Sequence, residues 1–235
     1  MKAKIIKENL TLFKKLIDQL SKMITECDFV FSPNGVFLRA MNKSNSSFVS
    51  LNINKDFFTE YSTEEKEIVS LDLLYFKKIL SRIKDDVALE SGDCLKLISN
   101  KKEFIIPLFA EPVTPDKPVN VNFVVFDKID LSAFSEMVND ATTLNEEAVI
   151  KIVAQEHFLK AETRNEGKEF KYTFEEKTNQ PNLVSGYRVD LLEKTLFSGA
   201  NELTLSFLNE GPILVKYEIP NIELSYIVAA NVNYD

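Results

Sequence analysis

A short helix-start pattern recurs four times along the 235 residues at nearly even spacing. Asn9–Phe13 (NLTLF) combines a capping residue with Leu and Phe, and Asp72–Phe76 (DLLYF) and Asp130–Phe134 (DLSAF) repeat the combination. A weaker copy begins at Asp190, where Lys194 takes the Phe position. The starts are separated by 63, 58 and 60 residues. Such even spacing indicates one supersecondary unit repeated four times, each opening on a capped amphipathic helix.

Three strand-like segments follow each predicted helix. Apolar and polar residues alternate clearly in Lys168–Phe174 (KEFKYTF) and Glu202–Phe207 (ELTLSF), as in a half-buried strand. The predicted segments are Asp28–Phe31, Gly35–Met41, Phe48–Ile53, Val87–Glu90, Leu95–Ser99, Phe104–Phe109, Ala148–Val153, Phe158–Thr163, Glu169–Phe174, Leu203–Leu208, Ile213–Ile219 and Leu224–Ala229. The pattern predicts an α+β fold of two similar domains, each with two helices on antiparallel sheet.

A proline-rich stretch separates the two halves of the chain. Residues 110–119 hold three prolines within seven residues, which excludes helix and central strand and predicts an extended connector. We therefore predict an N-terminal domain over 1–109, a connector over 110–121 and a C-terminal domain over 122–235.

Charge is distributed unevenly. The net charge is −8, yet residues 1–110 carry 17 Lys and Arg against 15 Asp and Glu, and residues 111–235 carry 11 against 21. The two cysteines give no disulfide framework, and no apolar run approaches the ~20 residues that span a bilayer. We expect an intracellular protein whose partners are decided by where the charges lie.

The polar faces of the first two predicted helices are basic. Their apolar stripes are Phe13, Leu16, Ile17 and Leu20, and Phe76, Ile79, Leu80 and Ile83. The cations that we interpret as DNA-facing are Lys14, Lys15, Lys22, Lys77, Lys78, Arg82, Lys84 and, in the fourth helix, Lys194. The third helix instead presents Ser132, Ser135, Glu136 and Asn139. The plain alternative is a solvated face; two equivalent basic helices in an acidic chain favour sequence-independent phosphate contacts.

One segment carries a family resemblance. Residues 35–44 (GVFLRAMNKS), followed by Phe48–Leu51, resemble the "G-(I/V)-x-L-R-(A/S)-M-D-x-S-H-V-x-L-V" segment of the PCNA-type sliding clamps of archaea and eukaryotes. Lys55–Tyr61, Val69–Leu80 and Gly211–Tyr217 are similar to further family elements. The resemblance covers essentially the whole chain and is consistent with the four-fold repeat.

The resemblance implies a non-catalytic subunit of a ring that encircles double-stranded DNA. Helices would line the channel, and edge strands would join subunits head to tail, with Lys101–Phe109 and Lys168–Phe174 as the candidate edges. Implied partners are other clamp subunits, a clamp loader, DNA polymerase, flap endonuclease and DNA ligase, in the nucleoid or cytoplasm of an archaeon or the nucleus of a eukaryote. The ring is expected to be a homotrimer or a heterotrimer with paralogues.

The family also implies an apolar pocket that receives a short hydrophobic-aromatic peptide of client enzymes. The matching positions are Met41, Asn45, Ser46, Phe48, Val113, Val119, Pro212, Tyr226, Ala229 and Ala230. For Met41, Phe48 and Tyr226, ordinary core packing is the alternative.

Three features depart from the family pattern. Asn45-Ser46 replaces the usual His-Val, residues 228–231 (VAAN) replace "L-A-P-(K/R)", and the third helix lacks basic residues. These departures put the client specificity of the pocket in question and raise a specialised subunit of a heterotrimer as an alternative to the homotrimer, which stays the default expectation.

Little in the sequence supports an enzymatic function. The six glycines form no phosphate-binding loop, and His157 is the only histidine available to a triad or zinc site. Asp85-Asp86 and Glu146-Glu147 are interpreted as solvated charges beside strands. No cofactor or metal is expected. Two alternatives remain: an acidic interaction scaffold that never touches DNA, and an unrecognised enzyme that uses the connector as a lid.

Overall fold

A computed structural model describes residues 1–113, 119, 121–145, 147–155, 158–165, 167–174 and 182–231. Two compact units are found, Met1–Pro118 with Glu218–Leu224, and Val119–Tyr217 with Ser225–Asp235. Within the described ranges, no helix is both long and apolar enough to cross a membrane.

The first unit contains two copies of a strand–helix–three-strand module. Its strands are β1 (Lys2–Ile5), β2 (Glu26–Ser32), β3 (Gly35–Met41), β4 (Ser47–Asn54), β5 (Glu60–Ser62), β6 (Glu67–Asp72), β7 (Val87–Ser91), β8 (Cys94–Ser99) and β9 (Lys102–Pro107). Its helices are α1 (Lys7–Leu20) and α2 (Leu73–Leu80), with a 3-10 turn at Lys55–Phe57.

The second unit repeats the module twice more, although residues 218–224 of the last two strands cluster with the first unit. Its strands are β10 (Val124–Asp130), β11 (Val149–Gln155), β12 (Phe158–Asn165), β13 (Lys168–Phe174), β14 (Leu183–Arg188), β15 (Glu202–Phe207), β16 (Ile213–Ile219) and β17 (Ile222–Val228). Its helices are α3 (Leu131–Thr142) and α4 (Val189–Glu193).

The modules of each unit exchange their first strands. In the first unit β1 pairs with β7 of the second module, and β6 pairs with β2 of the first, both antiparallel. In the second unit β10 pairs with β15, and β14 pairs with β11. The resulting strand orders are β5-β1-β7-β8-β9, β4-β3-β2-β6, β13-β12-β11-β14 and β10-β15-β16-β17. Neither module of a unit can complete its sheet without the other.

All twelve predicted strands are present with ends shifted by at most two residues, and the antiparallel α+β prediction is confirmed. The strand before each helix was missed. Asp72 and Asp130 are both the last residue of a strand and the N-cap of the next helix. Because no loop separates strand from helix, the sequence offers no turn residue that would mark the strand's end.

The cap predictions succeed at two helices and fail at two. Asp72 and Asp130 accept backbone N–H groups of Tyr75, and of Ser132 and Ala133, as capping residues should. Helix α1 instead begins at Lys7, and the Asp86 Oδ1 atom accepts the Lys7 N–H at 3.0 Å. The Asn9 side chain donates to the carbonyl oxygen of Phe57 at 2.8 Å.

At the fourth helix the predicted cap, Asp190, lies two residues after the observed N-cap. The N-cap of α4 is Arg188, and Asp190 lies inside the first turn, paired with Arg188 and Lys194. Helix α4 ends at Glu193, so the helix has only five residues. Helix α2 likewise ends at Leu80, which places Arg82 and Lys84 in the segment that follows the helix.

The hairpin turn before β3 requires glycine. Gly35 has φ +137°, and a Cβ atom built there would lie 2.1 Å from the Ile53 carbonyl oxygen. The Tyr61 hydroxyl donates to the carbonyl oxygens of Ser32 and Gly35 at 2.8 and 2.9 Å. The turn therefore fixes the register of β3, which carries the segment with the strongest family resemblance.

Candidate nucleic-acid interface and partner-binding surface

Helices α1 and α2 pack together through the apolar stripes that their sequences predict. Phe13 and Phe76 meet edge-to-face, with ring centroids 6.3 Å apart and an interplanar angle of 81°. Phe76 also contacts Phe29 of β2 at 5.9 Å. Leu16, Ile17, Leu20, Leu80 and Ile83 are buried with them. Burial of this stripe leaves the lysine-bearing sides of both helices facing outward.

The predicted DNA-facing cations of the first unit fall into two groups. Lys14 and Lys77 are half-buried and are held by groups of the neighbouring helix segment. The remaining side chains are exposed: Lys15, Lys22, Lys78, Arg82 and Lys84.

The half-buried pair makes specific contacts. The Lys14 ammonium donates to the carbonyl oxygen of Ile83, just beyond α2. The Lys77 Nζ atom lies 2.5 Å from Asp18 Oδ1 and 3.1 Å from Ser21 Oγ. Burial and the nearby charge of Lys84 lower the pKa of Lys14. The Lys14 contact therefore brings Lys14, Ile83 and Lys84 together at the end of α2.

The eighth predicted cation, Lys194, lies in the second unit. It is half-exposed, follows α4 directly, and pairs with Asp190 at 3.6 Å. Of the predicted polar face of α3, Ser132, Glu136 and Asn139 are exposed, and Ser135 is half-buried. The Glu136 carboxylate accepts the Tyr172 hydroxyl of β13 at 3.2 Å.

The two candidate edge segments lie at sheet ends. Strand β9 is the last strand of the sheet β5-β1-β7-β8-β9, and β13 is the last strand of β13-β12-β11-β14. Ile105 of β9 is 58% exposed, far more than an apolar side chain of a covered strand. On β13, Phe170 and Tyr172 lie 6.4 Å apart and half-exposed. Each edge therefore offers unpaired backbone and apolar side chains to a further strand.

Part of the predicted peptide pocket lies on the β3–β4 hairpin. Met41 pairs with Phe48 across the hairpin, and Met41 is 43% exposed. Asn42 Oδ1 accepts the backbone N–H groups of Ser46 and Ser47 at 2.9 and 3.0 Å, and Asn45 has φ +54°. This hydrogen-bonded loop holds Asn45 and Ser46 at the surface beside Met41.

The connector is attached to the sheet of the first unit at its start. The Val113 N–H donates to Asp28 Oδ1 at 3.1 Å, and the Phe109 N–H donates to the Ser70 carbonyl at 2.9 Å. No sequence pattern predicts the Asp28 contact, because a carboxylate within a strand is ordinarily solvated. Most of residues 114–120 lie outside the described ranges, and Val119 is half-buried.

The predicted pocket residues of the second unit differ in their exposure to solvent. Ala229 is exposed, and Pro212 and Ala230 are half-buried. Tyr226 is fully buried and packs at 6.5 Å against the ring of Tyr217, as the core-packing alternative predicts. Of the residues considered for catalysis, His157 and Glu146 lie outside the described ranges, and Asp86 accepts the N–H of Lys7.

Comparison with known proteins agrees with the resemblance. Residues 2–107 match the family model described as Proliferating cell nuclear antigen, N-terminal domain. The chain is 28% identical to the DNA polymerase sliding clamp of Pyrococcus furiosus, covering 99% of each chain.

Two solved structures match the fold of almost the whole chain. One is the PCNA2–PCNA3 complex of Sulfolobus tokodaii, with a TM-score of 0.84 and 18% identity, covering 98% of this chain and 99% of the other. The other is A. fulgidus PCNA bound to the C-terminal region of FEN-1, with a TM-score of 0.86, 20% identity and coverage of 100% and 99%.

Proposed function

We propose that this chain, whose residues 2–107 match the PCNA N-terminal domain family and whose fold matches clamp structures over essentially its whole length, is a ring subunit that encircles duplex DNA and tethers replication and repair enzymes. The observation that carries the proposal is the match to clamp structures over essentially the whole chain. The proposed role is topological and non-catalytic: the ring prevents escape while weak phosphate contacts permit sliding. Such a protein is intracellular and associated with DNA.

The subunits are proposed to join head to tail through the two exposed strand edges. Strand β9 of one subunit would pair with β13 of the next, so that Ile105 meets the Phe170 and Tyr172 surface. A head-to-tail interface forms a closed ring when its rotation closes. The default is three copies of this chain; paralogous subunits would be the alternative, as in the PCNA2–PCNA3 complex.

Double-stranded DNA is the proposed ligand of the basic helix faces. The exposed cations Lys15, Lys22, Lys78, Arg82 and Lys84 would contact phosphates without reading bases, which suits a sliding ring. Lys194 of the second unit is proposed to add to them.

Client enzymes are proposed to bind through a short peptide at the β3–β4 hairpin and the start of the connector. Met41, Phe48 and Val113 would supply apolar contacts, and Asn45 and Ser46 polar ones. Contributions from Val119, Pro212, Tyr226, Ala229 and Ala230 remain predictions from the resemblance. DNA polymerase, flap endonuclease and DNA ligase are the proposed clients, and a clamp loader would open the ring.

The absolute mass of the purified chain, measured by light scattering at micromolar concentration, tests the assembly. We expect three times the chain mass of 26.8 kDa. A monomer that stays monomeric when paralogous subunits are added contradicts the ring and favours the acidic scaffold. A trimer that forms only with paralogues replaces the homotrimer by a heterotrimer.

A further inference from the structure

The repeat places two lysine pairs in equivalent positions on α1 and α2. Aligning Phe13 with Phe76 makes Lys14 equivalent to Lys77, and Lys15 equivalent to Lys78. The two phenylalanines are in contact with each other, at 6.3 Å. The backbone of each lysine that directly follows one of these phenylalanines therefore lies beside the contact between the two helices.

Lys14 crosses from α1 to the end of α2. Its ammonium group donates to the carbonyl oxygen of Ile83, which lies three residues beyond Leu80, the last residue of α2. Lys14 is half-buried, and burial together with Lys84 lowers the pKa of its ammonium group.

Lys77 makes the reverse crossing, from α2 to the end of α1. Its Nζ atom lies 2.5 Å from Asp18 Oδ1 and 3.1 Å from the hydroxyl oxygen of Ser21, the C-cap residue of α1. Two repeat-equivalent lysines thus each reach across to the other helix: Lys77 contacts the carboxyl end of α1, and Lys14 contacts the segment just after α2. The side chains that follow them, Lys15 and Lys78, are both exposed.

We propose a division of labour within the basic cluster: Lys14 and Lys77 are positioning residues that clasp α1 to α2, and Lys15 and Lys78 contact the DNA phosphates. The clasp fixes the spacing of the two helices and thereby the spacing of the two exposed lysines. The phosphate half of this proposal rests on the proposed DNA-encircling function, whereas the clasp half does not.

Four single substitutions test the division, each removing one positive charge: Lys14→Gln, Lys77→Gln, Lys15→Gln and Lys78→Gln. The first readout is amide hydrogen exchange in the last turns of α1 and α2. We expect exchange about three- to ten-fold faster at the end of α2 in Lys14→Gln and at the end of α1 in Lys77→Gln. Lys77→Arg, which keeps the cation opposite Asp18, should restore protection, and Lys15→Gln and Lys78→Gln should exchange like the parent.

The second readout is the salt dependence of binding to a short duplex, measured by fluorescence anisotropy. Each phosphate contact adds about 0.9 to the slope of log affinity against log salt. We expect Lys15→Gln and Lys78→Gln to reduce the slope by about that amount per subunit, and Lys14→Gln and Lys77→Gln to leave it unchanged.

The outcomes separate the two halves of the proposal. Equal slope losses in all four variants, with unchanged exchange, would overturn the clasp and make every lysine a phosphate ligand. Faster exchange in Lys14→Gln and Lys77→Gln without a slope change in any variant would keep the clasp and contradict the DNA contacts. Faster exchange in all four variants would overturn the division, since the exposed pair would then hold the helices too.

Discussion

The helix pairs of the two units belong to the same strand–helix–three-strand module, but their exposed side chains differ in charge. Helices α1 and α2 have 14 and 8 residues and present lysines, whereas α3 and α4 have 12 and 5 residues and present Ser, Asn and Glu. The repeat positions of Lys14 and Lys77 are Ser135 and Thr195 in the second unit. Neither of these short side chains can reach the neighbouring helix end as a lysine does.

The aromatic contact differs in the same way. Phe13 meets Phe76 in the first unit, whereas in the second unit Lys194 stands at the repeat position equivalent to Phe76. There Phe197 and Tyr217 contact each other at 5.9 Å, and the Tyr217 hydroxyl donates to the Thr195 carbonyl at 2.9 Å. Both units keep the exchange of first strands, so this strand pairing defines the module. The exposed side chains of the helices differ between the units without changing that pairing.

The largest expected effect comes from a charge placed on an exposed apolar side chain of an edge strand. The same change on an interior strand is expected to leave subunit association intact. Ile105→Asp places a charge on the β9 edge and should weaken subunit association by at least about 100-fold, because a buried unpaired charge costs several kcal/mol. Light scattering over a dilution series measures this. The matched control is Phe158→Asp, since Phe158 is 49% exposed but lies on β12, an interior strand. Equal dissociation in both variants would contradict the edge interface.

A second prediction compares the aromatic junction with the lysines around it. Phe76→Ala should reduce the free energy of unfolding by about 3–5 kcal/mol, because the side chain is 2% exposed and touches two other rings. Lys78→Ala on the same helix should stay within about 0.5 kcal/mol. Urea unfolding gives both values. A loss below about 1 kcal/mol for Phe76→Ala would mean that the junction does not hold the helices.

The same residues show which features of the fold can be predicted from the sequence and which cannot. The apolar stripe around Phe13 and Phe76 is strictly periodic, and it correctly predicted which side of each helix is buried. The strands before the helices were missed because strand and helix share Asp72 or Asp130. The contacts of Lys14 and Lys77 join residues 69 and 59 positions apart, and no local pattern encodes them. Asn9 is not the cap of α1, because the N-cap is Ile6, three residues earlier.

A third, smaller effect tests the cap positions. Asp72→Ala should cost about 1 kcal/mol, because the side chain accepts the Tyr75 N–H at the start of α2. Asp190→Ala, at the equivalent repeat position, should cost less than about 0.5 kcal/mol, since Asp190 caps no helix and its ion pairs are surface pairs. Both follow from urea unfolding. Equal losses of unfolding free energy in the two variants would mean that Asp190 caps α4, as the sequence pattern predicts.

The smallest effect is a pH dependence at α3. Hydrogen bonds from the Ser132 side chain and backbone lower the pKa of Asp130. A lowered folded-state pKa means that the stabilisation is present above the unfolded value of about 3.9 and is lost as pH falls through the folded value. The stability difference between the parent and Asp130→Ala should therefore shrink between pH 5 and pH 3, as urea unfolding would detect. A difference that stays constant would show that the carboxylate charge does not contribute.

The most direct test of the central claim is retention on DNA of defined topology. The chain, loaded by a clamp loader and ATP onto nicked circular plasmid, should remain bound through gel filtration at high salt. Linearising the plasmid with a restriction enzyme should then release it within minutes, because an encircling ring slides off free ends. Equal retention on circular and linear DNA, or loss from both at high salt, would contradict encirclement.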